Sequence, residues 1–186
     1  MKPKEIQLEK LLQLNEELHD EFTSSFNKLN GSQLNWKPAS DSWSIGQCAE
    51  HLIKTNDLYI ARLEAALDGT YQPKFLEKIP ALKSLTSAML LWGITTTKKL
   101  KAPAIFIPST SEVNPLVISD FIHQHSKMNL LMQRAISLKA EAKTITSPAS
   151  PIMVFRLIDI FRISTLHSQR HIQQALRVKN NSNFPS

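Results

Sequence analysis

Apolar side chains recur along the first part of the chain at the spacing of a helix rather than that of a strand. The members of this stripe lie three, four or seven residues apart: Leu11, Leu18, Phe22, Phe26 and Leu29. Such spacing puts them on one face of an amphipathic α-helix. The pattern predicts a first helix over residues 3–29, which ends at Asn30-Gly31 because both residues tolerate left-handed backbone.

A second helix is predicted over residues 44–67. Ser44 is followed three residues later by Gln47, the spacing of a capping box, and Gly69 lies where the helix must stop. One member of its apolar stripe is a histidine, His51. The stripe consists of Cys48, His51, Leu52, Thr55 and Leu58. A histidine on this stripe points into the core or lines a cavity, and a hydrogen-bonded core histidine is the simpler interpretation.

Two more long helices are predicted in the second half. Asn114-Pro115 combines a good N-cap with a good first helical residue, and the helix runs to about residue 142. A turn at 147–151 precedes a fourth helix over residues 151–178, which contains no Gly and no internal Pro. One stripe of the fourth helix passes from apolar residues into histidines: Ile160, Ser164, His167, His171, Gln174 and Val178.

The connections differ in character. Residues 32–43 form a polar loop with two tryptophans, Trp36 and Trp43, whose indoles are expected to anchor it across one end of the helices. A short helix is predicted over residues 82–101, and the proline-broken segment 102–108 is expected to form an apolar strap. The sequence therefore predicts an all-α four-helix bundle, with 1–186 as a single domain that ends in a frayed tail at 179–186.

Composition narrows the class of protein. The chain has 186 residues, 42% hydrophobic and 20% charged, as in a soluble globular domain, and a net charge of +6. The densest basic group, Lys98, Lys99 and Lys101, is not part of a stripe of Arg and Lys with interleaved aromatics, so no nucleic-acid partner is expected.

No membrane association is expected either. The longest apolar run, residues 88–94, is too short to cross a bilayer, and the N-terminus lacks the apolar stretch of a signal peptide. Cys48 is the only cysteine, which excludes an intrachain disulfide. We therefore expect a cytoplasmic protein.

Candidate chemistry concentrates in three histidines. His167 and His171 are four apart, so a helix stacks their imidazoles on one face, where they can share a divalent metal. In a bundle His51 would face the same interior, and three imidazoles with an open fourth position form the ligand set of a catalytic site. Imidazole suits zinc, nickel, iron or copper. The alternative is a polar helix face that binds no metal.

Two blocks of sequence resemble the DinB/YfiT-like family of metal-dependent enzymes. The first runs from Trp36-Lys37-Pro38 through Trp43-Ser44-Ile45-Gly46-Gln47 to Glu50-His51-Leu52. The second is His167-Ser168-Gln169-Arg170-His171-Ile172-Gln173-Gln174, which is similar to the family's His-x-x-x-His-x-x-Gln. The resemblance implies up-down-down-up topology, a metal triad at His51, His167 and His171, and zinc, nickel or iron as the cofactor.

The resemblance also implies an activity. Characterised members look like thiol-transferring or isomerising enzymes that use low-molecular-weight thiols, and others are regarded as hydrolases. We therefore expect a metal-dependent S-transferase or hydrolase that acts on a small-molecule substrate, in a homodimer. The competing hypothesis is a non-catalytic bundle that dimerises or binds a small apolar ligand. Metal content distinguishes the two.

Further site candidates follow from spacing. Gln174 could orient His171 or a bound thiol, Gln47 lies one turn before His51, and Arg170 could meet an anionic substrate or simply be solvated. Cys48 is interpreted as a small buried residue rather than a ligand. No acid is placed obviously as a general base; the candidates near helix centres are Asp57, Asp120 and Asp159.

The other histidines are predicted to lie outside the site. His19, which neighbours three acids, is expected on the surface. His123 and His125 are two apart, so on a helix their side chains diverge by roughly 200° and cannot share an ion. We expect both at the surface or rim, with His125 closer to the core.

Overall fold

The structure is a computed structural model that describes residues 7–96, 104–109 and 112–186. Four long helices dominate it: α1 (Leu8–Phe26), α3 (Ile45–Asp68), α5 (Val117–Ser137) and α6 (Leu157–Lys179). Between them lie two shorter helices, α2 (Gly31–Asn35) and α4 (Pro80–Thr95), and two strands, β1 (Thr144–Thr146) and β2 (Val154–Arg156).

Side-chain contacts fix the direction of α1 against its neighbours. The amide of Asn15 donates to Asn129 at 2.7 Å, and the ring of Phe22 lies 4.4 Å from that of Phe121. Later residues of α1 therefore meet earlier residues of α5, so these helices are antiparallel. Lys179, at the end of α6, donates to the carbonyl of Ser25 at the end of α1, so α1 and α6 run parallel.

Helix α3 has the opposite direction to α1: it is antiparallel to α6 and parallel to α5. His51 and Asn56 of α3 contact His167 and Ser164 of α6 respectively, an antiparallel register. Glu64 and Asp68 of α3 form ion pairs with Lys127 and Arg134 of α5, a parallel register. The order along the chain is therefore up-down-down-up. The predicted all-α bundle and its topology are confirmed.

The core has two apolar clusters separated by a polar layer. One cluster is centred on Leu11, Leu63, Met132 and Phe161, and the other on Phe22, Leu52, Phe121 and Ile172. Each long helix carries buried polar side chains where it passes from one cluster to the other: Asn15, Asn56, Gln124, His125, Ser164, Thr165 and Ser168. These side chains make this layer the least apolar level of the interior. Burying such groups costs free energy unless they are hydrogen-bonded.

The start of the first loop differs from the prediction. Asn30 was expected to end the first helix, but α1 ends at Phe26 and Asn30 begins α2, with its side chain accepting from the backbone of Gln33 in a capping box. The same side-chain chemistry that stops one helix can start the next. Residues 1–6, which include the predicted beginning of helix one, lie outside the described residues.

The predicted start of helix four at residue 151 is wrong. Residues 154–156 instead form β2, which pairs antiparallel with β1 so that Ile145 lies opposite Phe155. Val154 and Phe155 are fully buried, and α6 begins only at Leu157. Helix three also ends earlier than predicted, at Ser137, because the chain turns there to enter the hairpin.

The middle segment contributes α4 and part of the strap. The predicted short helix is present as Pro80–Thr95, and Thr86 fastens it to the carbonyl of Val154 on β2. Residues 97–103, which hold the lysine group, and residues 110 and 111 lie outside the described residues. In the tail, Phe184 contacts Trp36 edge-on, with ring centroids 5.6 Å apart.

Among the described residues, no helix is both long enough and apolar enough to cross a membrane.

Candidate metal centre

His51 is positioned by the first turns of α3. The predicted capping box is present: the Ser44 hydroxyl accepts from the backbone of Gln47, whose side chain accepts from the backbone of Ser44. His51 lies one turn further on and is 3% exposed. Its Nδ1 lies 2.6 Å from the carbonyl oxygen of Phe106. Because a carbonyl only accepts, Nδ1 carries the proton and Nε2 presents its lone pair.

His167 and His171 occupy successive turns of α6. Nδ1 of His171 lies 3.0 Å from Oε1 of Gln174, so this ring also donates from Nδ1 and has Nε2 free as an acceptor. Gln174 therefore has the contact that its spacing from His171 suggested. An imidazole whose outer nitrogen is hydrogen-bonded in this way has its ring plane and tautomer fixed.

The three rings converge. Nε2 of His51 and Nε2 of His167 are 3.1 Å apart, and one ligand nitrogen from each of His51, His167 and His171 lies within 4.8 Å of the other two. Tetrahedral zinc with bonds of 2.0–2.1 Å separates its ligand nitrogens by about 3.3 Å. Small movements of these side chains would bring all three nitrogens to that separation, so the donor set and its spacing fit one divalent ion.

The environment keeps all three imidazoles neutral. Burial lowers the pKa of His51, and lowers that of His167 well below its usual value, with the neighbouring rings adding to the effect at His167. Burial, reinforced by His51, lowers the pKa of His171 to about 3. A neutral imidazole is the form that binds a metal, so these rings are available as ligands at neutral pH.

Trp43 covers the triad. Its ring centroid lies 4.9 Å from that of His51 and 5.5 Å from that of His171, with which it stacks at an interplanar angle of 23°. The sequence predicted that Trp43 would anchor its loop across one end of the helices, but not that it would contact two of the three histidines. The indole adds an apolar surface beside the nitrogens and limits access of water from that side.

The strap is fastened to the same face of α3. The amide of Gln47 donates to the carbonyl of Ser109 at 2.6 Å, Glu50 accepts from the backbone of Ser109 at 2.7 Å, and Lys54 donates to the carbonyl of Ile107 at 3.2 Å. These contacts hold the segment that carries the Phe106 carbonyl. Glu50 was not predicted to have this role, because its partner lies 59 residues away.

The remaining site candidates lie in different surroundings. Arg170 donates to the carbonyls of Ile94 and Thr96, which ties α6 to the end of α4. Gln47 uses its oxygen at the helix cap and its amide on the strap. Cys48 is buried in an apolar cluster, and desolvation raises its pKa to about 12, so its thiol is unreactive at neutral pH.

The three candidate acids are engaged or exposed. Asp57 accepts from Gln124 at 2.6 Å, and Asp159 forms a two-pronged ion pair with Arg156. Asp120 is exposed near the start of α5. The contacts of Asp57 and Asp159 are therefore structural.

A cleft opens beside His167. It measures ≈ 370 Å³ when the space that opens to solvent is included. His167 lies at its wall, and most of the other lining residues are apolar: Leu90, Met128, Phe155, Ile160 and Ile163. Sequence reasoning missed it because its walls come from five separate elements.

Comparison with known proteins identifies the class. The family model of the DinB superfamily matches residues 14–175, and the chain belongs to that superfamily. Among solved structures, it is similar to YfiT from Bacillus subtilis, described as a probable metal-dependent hydrolase with an unusual four-helix bundle topology. The TM-score is 0.60 at 15% identity, over 100% of this chain and 95% of YfiT. No curated protein matches the sequence.

Proposed function

We propose that this protein is a metal-dependent enzyme in which His51, His167 and His171 bind one divalent ion and leave a further position open for a reacting thiol or water. One observation carries the proposal: three neutral imidazoles, drawn from two helices, converge to within 4.8 Å. Among the described residues, only these three histidines converge in this way. The reaction class is transfer or hydrolysis on a small substrate.

The side chains around the triad support this role. The Phe106 carbonyl and Gln174 hold two rings with Nε2 turned inward, and Trp43 shields the face that they share. A divalent ion held there would lower the pKa of a coordinated thiol or water and so supply a nucleophile near neutral pH. Two ligands on one helix and one on another resist displacement, because each helix is fixed by its own packing.

The relatives favour the same class. YfiT, whose fold this chain shares, is described as a probable metal-dependent hydrolase. Three imidazoles suit zinc, nickel and iron alike, so the metal remains to be identified among these.

The first test is metal content and function together. Full-length protein, stripped with a chelator, is refilled separately with zinc, nickel or iron(II), and bound metal is measured per chain. We expect one ion, and faster reaction of a small thiol with a model electrophile in the refilled protein. His51→Ala should lose both, and His123→Ala, an exposed histidine of α5, should lose neither. An absence of stoichiometric uptake for all three metals would contradict the proposal.

The alternative is a non-catalytic bundle that binds an apolar ligand or dimerises. The cleft beside His167 favours the first form, and the exposed apolar row of Leu85, Met89 and Trp92 on α4 favours the second. Either form predicts ligand binding or dimerisation without any metal. Sedimentation of the wild type and of Trp92→Glu tests the homodimer that we expect independently of the metal.

A further inference from the structure

The cleft beside His167 has a composition that restricts what the site can accept. His167 belongs both to the triad and to the wall of the cleft. The cleft extends along α6 from His167 to Ile160, seven residues, which corresponds to about 10 Å of helix. A molecule whose reacting group sits at the triad would therefore extend its remaining atoms along this wall.

The polar groups along the cleft are already engaged. Ser164 donates to Asn56 at 2.9 Å, and Asn56 donates to Gln124 at 3.2 Å. Thr55 donates to the carbonyl of Leu52, and the hydroxyl of Tyr59 lies 2.9 Å from that of Ser147. These bonds join protein groups to one another, so a polar ligand group placed here would lose its hydrogen bonds to water with little in return.

The remaining surface favours an apolar ligand group. Leu90, Met128, Ile160 and Ile163 supply aliphatic surface, and Met adapts its shape to an irregular partner. Phe155 adds an aromatic face and packs against Tyr59 with ring centroids 6.5 Å apart. No Lys, Arg, Asp or Glu lines the cleft among the described residues, and its one titratable base, His167, lies at the triad end.

We infer that the substrate carries an apolar alkyl or aryl arm, and that this arm occupies the cleft while the reacting group is held at the triad. The inference rests on the proposed function and goes beyond it by assigning a substrate class. Leu90 of α4 and Ile163 of α6 would then set the length and width of the arm, since both are partly buried at the wall of the cleft.

The test uses a series of hydroxamates, whose head group binds metal and whose tail can be lengthened. Zinc-loaded protein is titrated with acetohydroxamate, butyrohydroxamate and hexanohydroxamate, and methyl NMR signals of Met128 and Ile160 are followed. We expect affinity to rise by about fourfold for each methylene until the cleft is filled, with shifts at both methyl reporters.

Matched variants test whether the tail of the hydroxamate occupies the cleft. Leu90→Phe and Ile163→Phe narrow the cleft from different elements and should reduce the hexanohydroxamate-to-acetohydroxamate affinity ratio by roughly tenfold. Met89→Phe, on the exposed face of the same helix as Leu90, should keep the wild-type ratio. Two variants that narrow the cleft are used because either one alone could lower the ratio by perturbing the fold.

The outcomes separate this inference from the proposed function. One contrary result is that acetohydroxamate binds the zinc-loaded protein while longer tails bring no gain in affinity, and another is that the shifts appear at other methyl groups. Either result contradicts the inferred apolar arm and leaves the proposed metal-dependent enzyme intact. If the protein takes up none of zinc, nickel and iron(II), the proposed function fails and the inference fails with it.

Discussion

Two groups of histidines lie between the helices of the same bundle, and they differ in what surrounds their nitrogens. In the triad, Nδ1 of His51 and of His171 each have a hydrogen-bond partner, and Nε2 of His51 lies 3.1 Å from a nitrogen of His167. In the second group, His125 stacks on His19 with centroids 5.8 Å apart, and neither nitrogen of His125 has a partner among the described residues.

The difference shows what separates a site from a histidine in the core. Burial lowers the pKa of His171 and that of His125 alike, to about 3 in each case. A lowered pKa therefore does not identify a ligand. Convergence of three rings, with outer hydrogen bonds that fix their tautomers, is found only at the triad among the described residues.

The largest effect that we expect from a substitution is loss of metal from the triad. His167→Ala removes one of three ligands, and we expect zinc affinity to fall by more than the 10- to 100-fold typical of an outer partner, as measured by calorimetric titration. His125→Leu is the matched control, because it removes a buried histidine that is not a member of the triad. Equal loss in the two variants would mean that the triad has no special role.

The next effect concerns the outer hydrogen bond of His171. Gln174→Leu removes the acceptor for Nδ1, and we expect zinc affinity to fall by about 10- to 100-fold while the fold is retained. Gln173→Leu changes the adjacent exposed amide, which contacts Glu21 instead, and should leave affinity unchanged. Indistinguishable affinities for the two variants would remove Gln174 from the site.

The third prediction uses the unpartnered histidine. The folded pKa of His125 is about 3, below the unfolded value of about 6.5, so the unfolded chain gains a proton first as the pH falls. The contribution of the neutral His125 to the free energy of unfolding is therefore retained above about pH 6.5 and is lost progressively toward pH 3. Between pH 7.5 and 5.5 the loss is about 1.4 kcal/mol.

Urea unfolding measures that loss. His125→Leu should reduce the drop in unfolding free energy between pH 7.5 and 5.5 by about this amount, because leucine does not titrate. Comparing the drop, rather than the absolute stability, cancels the effect of the altered packing. An unchanged drop in the variant would show that His125 is protonated or hydrogen-bonded in the folded protein.

The smallest expected effect is at Cys48. This residue is three positions before His51 but packs in an apolar cluster, and its pKa of about 12 leaves little thiolate at neutral pH. Cys48→Ala should keep the zinc stoichiometry and affinity of the wild type. A weaker affinity or a changed metal-to-protein ratio would extend the ligand set beyond imidazole.

Much of this architecture could be predicted because it is encoded locally. The stripe from Leu11 to Phe26 and the run through His167 and His171 are periodic over many turns. The Ser44–Gln47 cap lies within three residues. Each of these features is visible in a short window of sequence, and each is present in the structure.

The misses depend on partners that are distant along the chain. β1 and β2 have three residues each, so no alternation is long enough to predict them, and Pro151 is as compatible with a helix start as with a turn. His19, predicted at the surface, is half-buried because His125 of α5 stacks on it. Trp43 and the Phe106 carbonyl reach the triad only once the bundle has formed.

X-ray absorption at the zinc edge tests the central claim most directly. Zinc-loaded, full-length protein should give three imidazole nitrogens at about 2.0–2.1 Å and a further light atom, and His51→Ala should lose one imidazole from that shell. A sulfur neighbour at about 2.3 Å, or a shell with one imidazole or none that is unchanged in the variant, would contradict the account.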